Sequence, residues 1–430
     1  MLNSIRTTPR ESRLTALLLT ALLCASGSAE PAKQPAGKIA ATHKLAGTSV
    51  SLSAPVMVYS QHNYLWFPTL VRLGNGDLWA VMSNYADEAT NRPTGLFCRS
   101  TDDGLTWSSP KEYPYCDCNI RLPTGDNILI PYYLFPAKSG MTGTYLSARQ
   151  GAGELEVVKS GLTVAGLPRK DRIDQKNGVS GFVFNGETVP LADGSHLGAL
   201  YGNFEKENRY SLLSVVSRDG KHWRYRSTVA DARCPLEGVE GPCESAFARL
   251  KDGRLLCVFR LHSGAPLGQT YSSDEGRTWS APVSMRGPRS VQPSLAVLKS
   301  GIVLLTTGRP GISLWLNADG KAGDWQEIDL VKHHNASRPA ERFAYDKTTG
   351  SASNNTQFTA VDGTSSYTEI VALDDKNLLC IYDTIPPGWN RDPLPSKAQR
   401  PNSVWVIRVT VQSTAKPSPA ASRRKVPADG

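Results

Sequence analysis

A few side chains in this sequence are of the types that proton transfer and anion recognition require. The carboxylates Asp87, Glu88, Glu187 and Glu244 could divide into an acid and a base, since a pair in different surroundings can hold a proton on one member only. Arg260 and Arg309 could each grip a carboxylate with two parallel N–H donors. Tyr367 and the run Tyr64-Leu65-Trp66-Phe67 offer a phenol and flat apolar faces on which a ring such as a sugar could stack. His62, His333 and His334 are candidate bases. Each has a plain structural alternative: Tyr367 as an ordinary strand tyrosine, Glu244 as a rim carboxylate, the arginines as partners of strand-end acids, the histidines as loop residues.

What could bring residues so far apart together is a repeat: an apolar strand, a turn on Asp-Gly or a similar pair, then a second apolar strand. The clearest copy is Phe247-Ala248-Arg249-Leu250-Lys251-Asp252-Gly253-Arg254-Leu255-Leu256-Cys257-Val258-Phe259. Others begin near Pro68, Leu122, Val189, Leu295 and Ile370, which makes six. A second motif follows them, Ser100-Thr101-Asp102-Asp103-Gly104-Leu105-Thr106-Trp107 and Ser272-Ser273-Asp274-Glu275-Gly276-Arg277-Thr278-Trp279. Shortened and worn copies stand at Ser217–Trp223 and Asn317–Gly320 with Trp325. In this Asp-box pattern the Asp and Ser side chains can satisfy turn amides, Gly bends the chain and Trp packs back on the hairpin. It is therefore read as scaffold and not as catalytic.

Hairpins recurring at this spacing predict an all-β fold, a six-bladed β-propeller of four-stranded antiparallel blades with Asp-box turns. A β-sandwich would also hold such strands but does not explain the regular turns. No long amphipathic helix is expected, and residues 161–183 read as a loop over one face. Inner strands of a propeller start at its central channel, which singles out the residues just ahead of each repeat: Trp66 and its neighbours, Glu244 and Tyr367. Arg260 and Arg309 end the second strands of their repeats.

Over about residues 60–410 the chain resembles the sialidase (neuraminidase) superfamily. That resemblance implies a glycosidase with Tyr367 as nucleophile, Glu244 as its proton acceptor, and Arg260 and Arg309 as ligands of a substrate carboxylate. A phenol suits an anionic sugar, which would repel a carboxylate nucleophile. Asp87 or Glu88 falls in the loop that carries the family's acid/base aspartate. The family's Phe-Arg-Ile-Pro is replaced by Leu65-Trp66-Phe67-Pro68, so Trp66 stands where the first arginine belongs and suits stacking on a sugar face. The expectation is an exo-acting hydrolase of a terminal acidic sugar. The alternatives are a propeller glycosidase or lyase using Asp/Glu or His on another glycan, and a non-catalytic glycan-binding propeller.

The ends read differently from the middle. Arg6, Arg10 and Arg13 precede the apolar run Leu14–Leu23 and the small residues Ala25–Ala29, the pattern of a signal peptide over 1–29, which implies a secreted or periplasmic protein. The run is too short to span a bilayer, so no stable membrane insertion is expected. Cys24 admits a lipoprotein reading that Leu23 disfavours. Residues 30–50 read as a flexible linker, 51–412 as the propeller and 413–430 as a disordered basic tail. The net charge of +9 sits mostly in these flanks, which argues against nucleic-acid binding and leaves a glycan as the expected partner. In an oxidising compartment Cys234 and Cys243, bracketing a Pro/Gly loop, are the first choice for a disulfide. Cys116 and Cys118 could pair with each other or reach Cys98, and Cys257 and Cys380 read as buried thiols. No nucleotide-binding glycine loop, zinc spacing or calcium loop stands in the sequence, so neither cofactor nor metal is implied.

Overall fold

The computed structural model describes residues 38–87, 94–149, 153–289, 291–343, 363–388 and 394–414. The expected signal peptide, the start of the linker, most of the basic tail and Glu88 lie outside the described residues.

Six strands form the centre: Trp66–Arg72, Cys116–Arg121, Phe182–Pro190, Ser245–Arg249, Val291–Val297 and Glu369–Ala372. Each opens one of the repeats and pairs antiparallel with the strand after its turn, as Ser245–Arg249 does with Leu255–Phe259. The turn between these two needs a residue at positive φ, and Gly253 supplies it at 90°. From 116–121 onward each central strand lies against the next, and 369–372 returns to 66–72. The circuit closes where Arg121 donates to the Gly74 carbonyl at 3.2 Å.

Three of the sheets are separate four-stranded meanders, opening at Trp66, Ser245 and Val291. A nine-stranded sheet contains both 116–121 and 182–190, because Glu156–Ala165 pairs in parallel with His222–Ala230 over three residues. The sixth central strand belongs to a sheet in which Asn402–Ser413 pairs with Asn377–Thr384 on one side and with Val56–Gln61 and Thr48–Ser53 on the other. Inner strands such as Leu78–Ser83, Leu255–Phe259 and Val303–Gly308 are buried on both faces, because neighbouring sheets stack on them. Leu70, Ala80, Met82 and Cys98 of the first sheet interlock with Val371, Leu379, Ile381 and Val406 of the last. Burial of each such aliphatic side chain is worth about 1.5–3 kcal/mol.

The Ser-x-Asp turns are stapled as their residue types dictate. Asp274 Oδ1 accepts from Ser272 Oγ and from the amides of Arg277 and Thr278, and Oδ2 from Thr278 Oγ1, at 2.7–3.0 Å. Asp102 makes the same set of bonds with Ser100, Leu105 and Thr106. Trp107 and Trp223 donate their indole N–H to the turn carbonyls of Gly104 and Gly220.

Three expectations need correction. Residues 39–50 are not a flexible linker but most of a hairpin, Ile39–Leu45 with Thr48–Ser53, whose Val50 and Leu52 are fully buried beside Val409 and Val411. Alternating Thr48, Val50 and Leu52 give that strand one apolar face, and the long strand 402–413 gives it somewhere to go. Cys234 and Cys243 are both buried but unbonded, as are the other described cysteines. The loop between them is braced instead by Arg209, which donates to the carbonyls of Ala232, Cys234 and Gly238. The 161–183 stretch is strand as far as Ala165 and carries a small hairpin, Ile173–Asp174 with Val179–Ser180. One short helix, Leu330–Ser337, is capped by Asp329, whose side chain accepts from the Lys332 amide. No helix among the described residues is long and apolar enough to cross a membrane.

Candidate active site

Because the six central strands run in the same direction around the ring, their starts meet at one mouth and their ends at the other. At the mouth formed by the starts is a cavity of about 220 Å³ lined by Phe67, Tyr85, Asp87, Tyr115, Asp117, Tyr132, Tyr133, Glu244, Gln292 and Tyr367. Glu244 and Tyr367, 123 residues apart, come together there: the phenol donates to Glu244 Oε1 at 2.5 Å. Arg260 Nη1 donates to both Glu244 oxygens at 2.9 Å and to the Tyr367 oxygen at 3.3 Å. Arg309 lies with its guanidinium 5.4 Å from the centre of the Tyr367 ring. Asp87, exposed at the rim, faces the same cavity.

The electrostatics follow from this packing. Burial works to raise the Glu244 carboxyl, but Arg260, the Tyr367 hydroxyl and the Gln292 amide outweigh it and hold the group below the ordinary range. Burial, and then the Glu244 charge, pushes the Tyr367 phenol well above its usual value, so the resting proton sits on the phenol. Arg260 is raised despite its burial, because Glu244 favours the cation. Burial brings Arg309 down to about 10.

The segment carrying Tyr367 is held under strain. Asp383 accepts from Thr364 Oγ1 and the Ser365 amide, both at 2.7 Å, and from the Ser365 hydroxyl. Ser366 has φ of 67°, Arg309 of 54° and Phe67 of 48°, left-handed values that are costly for residues with a Cβ. Gly308 makes this arrangement possible, since a Cβ there would stand 2.2 Å from the Ser366 carbonyl oxygen. Strained backbone collected around one phenol is a mark of a preorganised site.

Trp66 is not part of the cavity wall. It is fully buried, with its indole donating to the Tyr85 carbonyl at 2.9 Å, and Phe67 takes its place. The cause is a register shift between Trp66 and Thr69, which exchanges the residues that face the channel. Phe67 meets the Tyr367 ring edge-on at 4.8 Å.

Sequence reasoning missed Asp117 and Gln292. Asp117 accepts from Gln292 Nε2 at 2.9 Å and Asn185 Nδ2 at 2.7 Å, and the Gln292 amide donates to Glu244 at 3.0 Å. Burial pushes Asp117 up to about 7, against the pull of those two amides. Both residues occupy the position just ahead of a repeat that identified Glu244 and Tyr367. The flanking cysteines drew attention to disulfide chemistry instead.

Glu187 lies elsewhere, in a wider basin of about 810 Å³ at the opposite mouth, with Arg72, Arg121 and Arg249 at the strand ends. His333 and His334 are core residues, bonded to the Ser53 carbonyl and the Tyr382 hydroxyl.

Comparison with solved structures places the same fold in enzymes of very different sequence. A Hadza microbial sialidase, Hz136, superposes with a TM-score of 0.55 at 13% identity, covering 84% of this chain and 69% of that one. The α-L-arabinanase of Penicillium chrysogenum gives 0.51 at 15% identity, covering 83% and 98%. The GH93 α-L-arabinofuranosidase of Fusarium graminearum gives 0.53 at 14%, again covering 83% and 98%. No curated protein matches the sequence. The model of the BNR repeat-like domain matches residues 168–384, half of the chain, and the chain belongs to that family.

Proposed function

We propose that this protein is an exported, exo-acting glycoside hydrolase that works through Tyr367. The observation that carries the reading is the phenol–carboxylate contact of Tyr367 and Glu244 in a cavity sized for one sugar ring. The fold shared with sialidases and arabinan-acting enzymes supports a glycan as partner. In the scaffold we read the nine-stranded sheet as two blades bridged by its short parallel contact, which makes a six-bladed propeller with Asp-box turns.

In the first step the Tyr367 oxygen attacks the anomeric carbon while Glu244 takes the phenolic proton. The glycosidic bond breaks as Asp87 protonates the leaving oxygen. Arg260 and the Arg309 guanidinium stabilise negative charge developing on the phenol. In the second step Asp87 deprotonates a water that attacks the same carbon, and Tyr367 leaves and recovers its proton from Glu244. Configuration at that carbon is retained.

The test is fluorophore release from a panel of aryl glycosides. Tyr367→Phe and Glu244→Gln should each lower kcat by about a thousandfold or more with the fold intact. Turnover that survives Tyr367→Phe rejects the covalent scheme. Asp117, held near neutrality in the same cavity as Glu244, favours a second reading in which these two carboxylates act as acid and base on another glycan. Loss of activity in Asp117→Asn together with full activity in Tyr367→Phe is its signature.

A further inference from the structure

The residues facing the cavity include three carboxylates, Asp87, Asp117 and Glu244, five tyrosines and, among the described residues, no lysine, arginine or histidine. Arg260 and Arg309, the two cations nearest to it, are almost fully buried behind this wall. Arg260 is also occupied by the protein itself. Its Nη1 is held by Glu244, and its Nη2 donates to Glu240 and to Ser263 Oγ at 2.9 and 3.1 Å. Its remaining donor, Nε, has no protein partner but is sealed from solvent, so no ligand reaches it. Glu240 comes from the loop braced by Arg209, where its own carbonyl accepts from the Tyr210 amide at 2.7 Å. A second anion arriving at Arg260 would have to displace Glu240 or lie against it.

We infer that the cavity selects an uncharged sugar, and that Glu240 is a specificity-determining residue because it is the built-in carboxylate that fills Arg260. The acidic sugar implied by the sequence resemblance depended on arginines open to a substrate carboxylate; here the protein itself supplies that carboxylate to Arg260, and the buried Arg309 donates to Ser263 Oγ and the Ser365 carbonyl at 3.1 and 3.2 Å. An uncharged ring instead meets acceptors for its hydroxyls on Asp117 and Asp87 and aromatic faces on Phe67 and the tyrosines. This inference rests on the glycosidase reading of the cavity, but it concerns which ring binds and not how the bond breaks.

The experiment measures kcat/KM of the purified chain for neutral aryl pyranosides and furanosides against an aryl sialoside and an aryl uronide. Calorimetric Kd values for the corresponding free sugars are measured in parallel. The intact protein should favour a neutral sugar over both acidic ones by about a hundredfold or more. Glu240→Gln should narrow that ratio by about tenfold, the worth of one charged hydrogen bond released to a ligand, and Glu240→Asp should restore it. A merely structural role for Glu240 would change both substrate classes alike and leave the ratio unmoved, which overturns its assignment. Preference of the unaltered protein for an acidic sugar overturns the whole inference, and this needs no variant to fold. If sugars bind without turnover, the catalytic reading fails while the neutral-to-acidic ratio of Kd still decides this one.

Discussion

Asp117 and Glu244 sit in one cavity and are both pushed up by burial, yet they end on opposite sides of the ordinary carboxylate range, because only Glu244 has a guanidinium against it. Asp117 keeps its proton up to about 7 in the folded protein, whereas an unfolded carboxyl releases it near about 4. Between those values Asp117 holds a proton in the folded state that it lacks in the unfolded state, so its contribution to stability falls as pH rises through the window. Glu244 works with the opposite sign: its contribution is present above the ordinary carboxylate range and is lost as pH falls through its lowered value. Between pH 4 and 7 the thermal midpoint of Asp117→Asn should therefore change less steeply downward, or more steeply upward, than that of the unaltered protein, whatever its absolute midpoint. An unchanged slope would mean that Asp117 is ionised throughout. The legibility of these residues was uneven for a physical reason. Glu244 and Tyr367 could be found because they precede well-formed repeats, and Asp117 could have been found by the same rule. The exchange of Trp66 for Phe67 could not, because a register shift leaves no trace in residue types. Neither could the occupation of Arg260 by Glu240, which depends on how an irregular loop returns to the ring.

At the scale of single elements the Ser-x-Asp turns show how far local sequence can specify structure. All four acceptor contacts of Asp274 lie within the seven residues 272–278, so the turn closes without help from distant parts. Replacing Asp274 by Ala leaves two turn amides and two hydroxyls to water, with an expected loss of about 0.5–2 kcal/mol, as for a capping residue, read as a lower denaturant midpoint at unchanged m-value. Activity per folded molecule should stay constant, since the turn is not in the cavity wall. A large drop in kcat with little loss of stability would contradict the scaffold role. Elements built by distant pairing were the ones the sequence hid. In residues 39–53 only the short alternation Thr48, Val50, Leu52 points to a strand, because the partner that buries it is the stretch 409–413, distant in sequence.

For the molecule as a whole that distant pairing joins early and late residues in one sheet. The strand Asn402–Ser413 holds Asn377–Thr384 on one edge and residues 48–61 on the other, so early and late strands lie together in the sheet that also carries Glu369–Ala372. Leu52, fully buried within it, tests the point. Leu52→Ala should cost about 2–5 kcal/mol, as for a core leucine, whereas a side chain in a flexible linker would cost almost nothing. The measurement is the shift in denaturant midpoint.

This pairing also orders events in time. A ribosome delivers residues 48–61 early, with their hydrogen-bonding edge and their buried valines and leucine already specified, but their partner arrives only after some three hundred and forty more residues have been translated. Until then the nascent polypeptide carries an open edge, and the loop bearing Tyr367 has no finished wall behind it. The edge at 48–61 therefore stays uncovered until the last strand, 402–413, pairs with it, and the sheet that carries Glu369–Ala372 is complete only then.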